Sequence, residues 1–390
     1  MPEFNFPPSK EYDLVFCGMG CATLSIVMRM IRSGEFSDKK ILLIDKDRKD
    51  KNDRTWCFWE KENGFFEDIV YKKWSAIEFS SNDFSAALYI APYEYKMIRG
   101  IDFYTYCLKE IRKHENIDIV YTDLKGWGYV IYDGIWEFNL GGQIFRNWNK
   151  KSEVFSSIYK PSEDQKIIRL LQHFKGWKIE AETNIFNPGI ATIMDFRVDQ
   201  KRGTTFAYVL PFSERSAIVE YTLFTPELLK DEEYNEEIRN YITELLKVDK
   251  YTITEQESGI IPMTTEKFYS YSSKGWMIGT AGGRTKASSG YTFQFIQKQS
   301  DEIVKRLISK EPIEKIPDTP KRFRFYDNVL LDILYNKRYP GDKIFTRLFK
   351  KNKPQQVLRF LDNETSLKEE LKIISSLPAW PFLKAAIRQL

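Results

Sequence analysis

Two glycines near the start of the chain have the spacing needed to hold a phosphate group. Gly18 and Gly20 follow the apolar segment Tyr12–Cys17 and precede an uncharged stretch. Gly18 allows a tight turn, and Gly20 lets backbone N–H groups approach a pyrophosphate at the N-terminus of the next helix. Asp45 ends a second apolar segment and could accept a hydrogen bond from a ribose hydroxyl. The pattern predicts a dinucleotide site, although a non-binding strand-to-helix turn has the same glycines.

A second glycine-rich turn contains Gly279, Gly282 and Gly283. Attachment of one dinucleotide by two distant parts of a chain is typical of FAD, so FAD is the expected cofactor. Arg99 opens a predicted helix and could contact the same phosphates. The alternative for Arg99 is an ordinary surface arginine.

The segment around Glu220 places a carboxyl group among apolar residues. Strand alternation predicts Ile218, Glu220 and Thr222 on one face and Val219 and Tyr221 on the other. Burial raises the pKa of a carboxyl group, so Glu220 could act as a general acid. The alternative is a solvated glutamate on an edge strand.

Other candidate catalytic groups are few. Asp195 has a similar setting, but Arg197 could pair with it on the same strand face. Histidine occurs only twice, as His114 and His173. This scarcity argues against histidine-based metal centres and Ser-His triads, so no metal site is expected.

Aromatic residues make up 15% of the chain. Trp56, Phe58 and Trp59 lie close together after the predicted dinucleotide unit, and with Tyr221 they are candidates for the wall of a substrate pocket. Core packing is the alternative for this segment. The overall excess indicates large apolar cavities or an interfacial surface, or only a bias in the gene's base composition.

The elements that must position these groups can be read from the same pattern. A strand over Tyr12–Cys17, a helix over Cys21–Ser33 ended by Gly34, and a strand over Lys40–Asp45 form a βαβ unit. Residues 206–210 and 217–222 predict a hairpin, and a helix is expected from Pro226 to Leu246.

Composition excludes several classes of protein. The net charge is +4, which is too balanced for a nucleic-acid binder. The mean hydropathy of −0.45 excludes a polytopic membrane protein. The four cysteines show no CxxC pair, and the first ten residues have neither the basic nor the apolar region of a signal peptide. A reducing cytoplasm is therefore the expected compartment.

Together these motifs resemble the bacterial lycopene β-cyclase branch of the lycopene cyclase family. The similarity covers nearly the whole chain, and its most specific parts are the tryptophan-rich segment and the segment of Glu220. The matching segments are Gly18 and Gly20 with Asp45, then 52–59, 97–103, 172–176, 194–197, 210–211, 218–222, 259–263, 278–291, 325–327, 360–362 and 381–383.

The resemblance implies a redox-neutral isomerase that binds FAD, needs it reduced, and uses NAD(P)H as the usual reductant. Each linear ψ-end of lycopene would become a β-ionone ring, giving γ-carotene and then β-carotene. Glu220 matches the family's essential acid and would protonate the terminal double bond. The base for the last proton stays open between the flavin, Glu220 and Asp195.

Two other functions remain open at this point. One is an FAD-dependent monooxygenase or oxidoreductase acting on a carotenoid or another apolar substrate. The other is a non-catalytic carotenoid carrier. An oxygenase would consume O2 and NAD(P)H stoichiometrically, whereas a cyclase would not.

The predicted fold is α/β, with a Rossmann-like FAD-binding domain of the glutathione-reductase or hydroxylase type. The FAD-binding domain is assigned to residues 10–55, 95–180 and 275–310. An inserted β-sheet substrate domain covers 56–94 and 181–274, and a helical region covers 311–390.

Lycopene is a membrane-resident hydrocarbon, so the membrane surface is an expected partner. Residues 373–383 are uncharged, contain Trp380 and are flanked by Lys372 and Lys384. This suits an interfacial anchor at the inner face of the cytoplasmic membrane, with helix packing as the alternative. The sequence does not indicate an oligomeric state.

Overall fold

A computed structural model describes residues 12–123, 136–140, 143–147, 153–272 and 275–389. The opening segment used for the signal-peptide prediction lies outside these residues. Numbered along the chain, the strands are β1 Leu14–Cys17, β2 Ile41–Asp45, β3 Thr55–Glu60, β4 Lys72–Trp74, β5 Ala76–Ser81, β6 Phe84–Tyr89, β7 Glu94–Arg99, β8 Ile117–Tyr121, β9 Trp136–Leu140, β10 Gln143–Asn147, β11 Glu153–Ser156, β12 Arg169–Ala181, β13 Ile190–Asp195, β14 Thr204–Pro211, β15 Ser216–Thr225, β16 Tyr251–Thr264, β17 Tyr271–Ser272 and β18 Gly275–Met277.

The α-helices of the described residues lie mostly in the C-terminal part. They are α1 Cys21–Ser33, α2 Gly100–Ile111, α3 Asp231–Asn240, α4 Phe293–Ser309, α5 Lys321–Tyr335, α6 Gly341–Lys351, α7 Pro354–Leu361, α8 Leu367–Ser376 and α9 Ala379–Arg388. The predicted helical C-terminal region is therefore present.

The first sheet is the Rossmann-like unit that the βαβ pattern predicts. Its strand order is β17-β18-β11-β1-β2-β8, and β1 lies parallel to both β2 and β11. The four residues of β1 are all buried, as expected for a parallel strand covered on both faces. Helix α1 has the predicted limits, and Gly34 ends it in the left-handed conformation that a helix C-cap requires.

The second sheet has seven strands in the order β16-β12-β15-β14-β13-β5-β6. The predicted hairpin is β14 and β15, whose register pairs Tyr208 with Glu220. Strand β12 corrects the predicted domain boundary, because Arg169–Ala181 lies between β15 and β16 rather than in the dinucleotide unit. Of the strands in the predicted substrate domain, β5, β6 and β13–β16 lie in this sheet, whereas β17 lies in the first sheet and β3 and β4 in neither. Strands β3, β7 and β4 form a separate small sheet.

Helices cover both faces of the seven-stranded sheet. Phe206 and Phe224 on one face belong to a core cluster with Phe345 and Phe349 of α6. The other face packs against α3 through Tyr234 and Ile238, with Tyr221 in the same cluster. No helix of the described residues is long and apolar enough to cross a membrane.

Helix α3 is shorter than predicted. The sequence pattern starts it at Pro226, but it begins at Asp231 and gives way to a single π-type turn over Tyr241–Leu245. Three consecutive acidic residues, Asp231, Glu232 and Glu233, occupy its first turn. Negative charge is favourable at a helix N-terminus, which gives a physical reason for the later start.

Candidate functional site

The N-terminal glycine turn has the geometry of a phosphate-binding loop. Gly18 has φ +93°, and an added Cβ would collide with the hydroxyl of Ser157, so only glycine fits. Gly20 precedes α1, and no described atom lies within 4 Å of the position its Cβ would take. No described side chain caps the N-terminus of α1 either. The turn therefore leaves room for an anion at the positive end of the helix.

Asp45 lies at the end of β2, as predicted, and holds this turn in place. Its Oδ2 accepts a hydrogen bond from the Met19 N–H at 2.6 Å, and its Oδ1 accepts one from the Asp47 N–H at 2.8 Å. Lys49, which the sequence analysis did not single out, places its Nζ 3.2 Å from Oδ2. Contact between Asp45 and a ribose stays a prediction.

The second glycine-rich turn packs against the first. Gly279 has φ +60°, and an added Cβ would lie 2.9 Å from the Cβ of Ala22 in α1. The fold thus brings together two glycine segments that are far apart in sequence. At Gly282 and Gly283 an added Cβ would meet Met277 and Phe268, so these glycines are required by the turn itself.

Arg99 lies at the N-cap of α2, beside the small sheet. Its guanidinium pairs with Asp102, with an Nε to Oδ2 distance of 2.6 Å, and lies over the ring of Tyr71. Its contact with a cofactor phosphate stays a prediction.

A cavity of about 300 Å³ lies where the seven-stranded sheet meets β3 and the loop before α4. Residues that are far apart in the sequence, from Asp53 to Phe293, line this cavity. Its lining includes Arg54, Trp56, Cys57, Tyr95, Gln172, Phe174, Tyr208, Glu220, Glu257, Thr280, Ser289, Gly290, Tyr291 and Phe293.

Glu220 is a buried carboxyl group in the lining of this cavity. Its side chain is only 9% exposed, and its Oε1 accepts a hydrogen bond from the Thr222 hydroxyl at 2.6 Å. Burial, reinforced by the charge of Glu257, raises the pKa of Glu220 to about 8. A carboxyl group with this pKa is protonated at neutral pH and can donate its proton.

Three tyrosines that the sequence analysis missed share this cavity with Glu220. Tyr95, Tyr208 and Tyr291 line the same cavity, and burial raises the pKa of each. They therefore present neutral hydroxyls and aromatic faces. The hairpin register locates Tyr208 opposite Glu220, but Tyr95 and Tyr291 come from distant segments and leave no local signal.

The side chains of the tryptophan-rich segment lie partly in the cavity lining and partly in the hydrophobic core. Trp56 lines the cavity, whereas Phe58 is buried in the core and stacks on Phe293 at 4.3 Å. Trp59 is also buried, and packs edge-on against Tyr291 at 4.6 Å. Trp56 and Phe58 project from the same face of β3, but Trp56 lines this cavity whereas Phe58 is more deeply buried against Phe293 and does not. Trp59 supports the wall from behind.

Asp195 and Tyr221 require corrections. Asp195 pairs across the sheet with Ala207, which pairs with Tyr221, so all three lie in one row on the face opposite Glu220. Asp195 accepts a hydrogen bond from the Tyr241 hydroxyl at 2.8 Å and forms the expected ion pair with Arg197. Neither Asp195 nor Tyr221 is among the residues that line the cavity. Successive side chains of a strand point to opposite faces of the sheet, so Asp195 and Tyr221 point away from the face that carries Glu220.

Two buried polar atoms in the cavity fit an additional bound group. The Gln172 Oε1 and the Ser289 Oγ have no hydrogen-bond partner among the described residues, and both side chains line the cavity. Because buried polar groups are nearly always paired, these atoms are suited to a polar ligand next to Glu220.

The model of the family described as lycopene cyclase protein matches residues 13–120 and 150–387. The chain belongs to the lycopene cyclase family. The matched ranges include both glycine turns and all the cavity residues named above. No curated protein matches the chain.

Solved structures show how this family member is folded. The flavoprotein/dehydrogenase from Cytophaga hutchinsonii is 12% identical, with 97% of this chain and 99% of that chain covered and a TM-score of 0.62. The flavin-dependent brominase Bmp2 is 14% identical, with 91% and 94% covered and a TM-score of 0.60. The p-nitrophenol 4-monooxygenase PnpA from Pseudomonas putida is 12% identical, with 93% and 95% covered and a TM-score of 0.57. The chain thus has the FAD-binding Rossmann-type fold.

Proposed function

We propose that this protein is a lycopene β-cyclase that converts the ψ-ends of lycopene to β-ionone rings, by way of γ-carotene to β-carotene. The observation that carries the proposal is Glu220, a neutral acid in a cavity lined by aromatic side chains. Family membership supports the choice of substrate.

The cyclisation needs a proton, a protected cation and a base. Glu220 would donate its proton to the terminal double bond, and the neighbouring double bond would attack the resulting tertiary cation. The faces of Trp56 and Tyr208 line the cavity and would stabilise positive charge through their π-systems. Loss of a proton from the ring then gives the β double bond. The sum of these steps is redox-neutral.

We propose FAD as the cofactor, with NAD(P)H as its reductant. The open space at Gly20, the second turn at Gly279 and the unpaired Gln172 and Ser289 atoms are the features suited to it. Reduced FAD supplies an electron-rich face that stabilises nearby positive charge.

We further propose that the protein binds the inner face of the cytoplasmic membrane. Helices α8 and α9 expose an apolar surface, which we call the tail surface: Leu367, Leu371, Trp380, Leu383 and Ile387. Lys368, Lys372 and Lys384 lie in the same helices and are exposed. Apolar and aromatic residues flanked by lysines suit the interface of an anionic membrane, where the hydrocarbon substrate resides.

Pigment analysis tests the cyclisation. Bacteria that accumulate lycopene would express the wild type, Glu220→Gln, or the control Glu180→Gln, which changes an exposed carboxylate of the same sheet. The wild type and the control should produce β-carotene, and Glu220→Gln should leave lycopene. Persistent lycopene with folded, flavin-loaded wild type would contradict the proposal. Stoichiometric NAD(P)H-dependent oxygen uptake would then indicate the monooxygenase alternative.

A further inference from the structure

A second glutamate lies beside Glu220 in a row of residues that crosses the seven-stranded sheet. Strand register pairs Tyr208 with Glu220, Glu220 with Gly176, and Gly176 with Glu257. Residues directly opposite each other in a sheet project to the same face. Glu220 and Glu257 therefore stand on either side of a glycine and face the same cavity.

Gly176 leaves the space in which the two side chains converge. A Cβ at this position would lie 3.4 Å from the Glu220 Cβ and 3.4 Å from the Glu257 Cγ. A side chain at this position would therefore stand in contact with both glutamates. Because Gly176 has no side chain, no side chain of β12 in this row stands between Glu220 and Glu257.

The two carboxyl groups have different surroundings. Glu220 is buried, whereas Glu257 is partly exposed and its Oε2 accepts a hydrogen bond from the Thr55 hydroxyl at 2.6 Å. Burial and the charge of Glu255 raise the pKa of Glu257, and the bond from Thr55, which favours the ionised form, partly opposes this rise. The charge of Glu257 in turn raises the pKa of Glu220. Such an arrangement separates one acid from one base.

We propose that Glu257 is the base that accepts the last proton and returns it to Glu220; this inference rests on the proposed cyclisation. Glu220 loses a proton as the new C–H bond forms and the terminal π bond breaks. The ring carbon next to the cation later loses a proton to the Glu257 carboxylate, and its C–H electron pair becomes the new double bond. Transfer of that proton from Glu257 to Glu220 restores both groups, so no proton or electron is consumed overall.

Among the titratable groups of the cavity, Glu220 and Glu257 are the two that are suited to act as acid and base. Burial raises the pKa of every other cavity group with an acidic O–H or S–H, so these groups stay neutral near pH 7. They are Cys57 on β3, Tyr95 on β7, Tyr208 on β14 and Tyr291 before α4. The fixed charges nearby are Asp53 and Arg54, which pair with each other at 2.8 Å, and Glu255, which pairs with Lys178.

Two measurements on the flavin-loaded protein test the pair. Infrared titration, with Glu220→Gln as the reference, reports the protonation of Glu220 without any turnover. Glu257→Gln should lower the apparent pKa of Glu220 and reduce the cyclisation rate on the order of 10²-fold. Glu257→Asp should retain part of the rate. Glu180→Gln is the control, since it removes an exposed carboxylate from the neighbouring strand β12 and should change neither result.

Each outcome decides the inference. Wild-type rate and pH profile in Glu257→Gln, or equal losses in Glu257→Gln and Glu180→Gln, would overturn it. If Glu257→Gln does not fold, a wild-type pH profile and rate in Glu257→Asp would overturn it, and a slowed rate with a shifted profile would support it. If the wild type cyclises no ψ-ended carotenoid, the proposed function fails, whereas the infrared titration still reports on the coupled pair.

Discussion

At the scale of single residues, the environment of Glu220 gives an ordinary side chain its chemistry. The carboxyl group is buried on the cavity side of β15, and its pKa rises to about 8 through burial and the charge of Glu257. The native state therefore retains a proton that the unfolded chain releases at lower pH. One residue thus links the pH dependence of activity to that of stability.

The first prediction concerns this link. Cyclisation should slow as the pH rises through 8, because the protonated form of Glu220 donates the proton. Since the native state binds the extra proton, Glu220 should reduce the free energy of unfolding increasingly from about pH 4.3 to pH 8. Glu220→Gln removes this cost, so the variant should lose activity and yet be more stable at pH 8 by roughly 1–3 kcal/mol.

Denaturant unfolding of wild type and Glu220→Gln at pH 5 and pH 8 measures the difference. Glu180→Gln is again the control. A stability difference that is the same at both pH values would contradict the raised pKa.

At the scale of elements, the first glycine turn assigns different tasks to two neighbouring glycines. Gly18 has a left-handed backbone and no space for a side chain. Gly20 has an extended backbone and open space at its Cβ position. One glycine therefore serves the fold, and the other leaves room for a ligand.

The second prediction contrasts two substitutions in this turn. Gly18→Ala should lower the melting temperature, because alanine is strained at φ +93° and its Cβ collides with Ser157. Gly20→Ala should keep the wild-type melting temperature of the apoprotein but reduce the amount of bound flavin, because the added methyl occupies the phosphate position. Thermal unfolding and flavin absorbance of the purified proteins distinguish the two. Equal flavin content in Gly20→Ala and wild type would place the cofactor elsewhere.

At the scale of the whole molecule, the cavity forms where separate parts of the chain meet. The seven-stranded sheet supplies Glu220 and Glu257, while β3 and the loop before α4 supply Trp56 and Tyr291. The C-terminal helices pack on the same face of that sheet and carry the tail surface on their outer side. The proposed reaction and the proposed membrane contact thus both depend on the assembled chain.

The third prediction concerns the tail surface. Trp380→Glu with Leu383→Glu should weaken binding to vesicles that contain anionic lipid, because it removes exposed apolar contacts and adds negative charge. The rate with detergent-solubilised lycopene should be unchanged. Vesicle co-sedimentation measures binding, with Leu228→Glu, an exposed leucine outside these helices, as the control. Equal loss in the control, or no loss in the double variant, would contradict a membrane role for this surface.

The sequence alone determined the local features of this protein. The limits of α1, the glycine turn, the hairpin around Glu220 and the alternation that separates Glu220 from Tyr221 follow from interactions between residues close in the chain. The Asp195–Arg197 pair also follows from spacing. These features were predictable because helix capping, turn geometry and strand periodicity act over a few residues.

Only the tertiary structure decided which candidates share a site. It placed Asp195 and Tyr221 behind the sheet, Phe58 in the core, and Tyr95, Tyr291 and Glu257 around Glu220. It also placed β12, predicted to belong to the FAD domain, between β15 and β16 of the seven-stranded sheet, where Gly176 separates the two glutamates. Strand order and sheet packing join residues that are distant in the chain, and no local pattern carries the register between strands that are not neighbours in sequence.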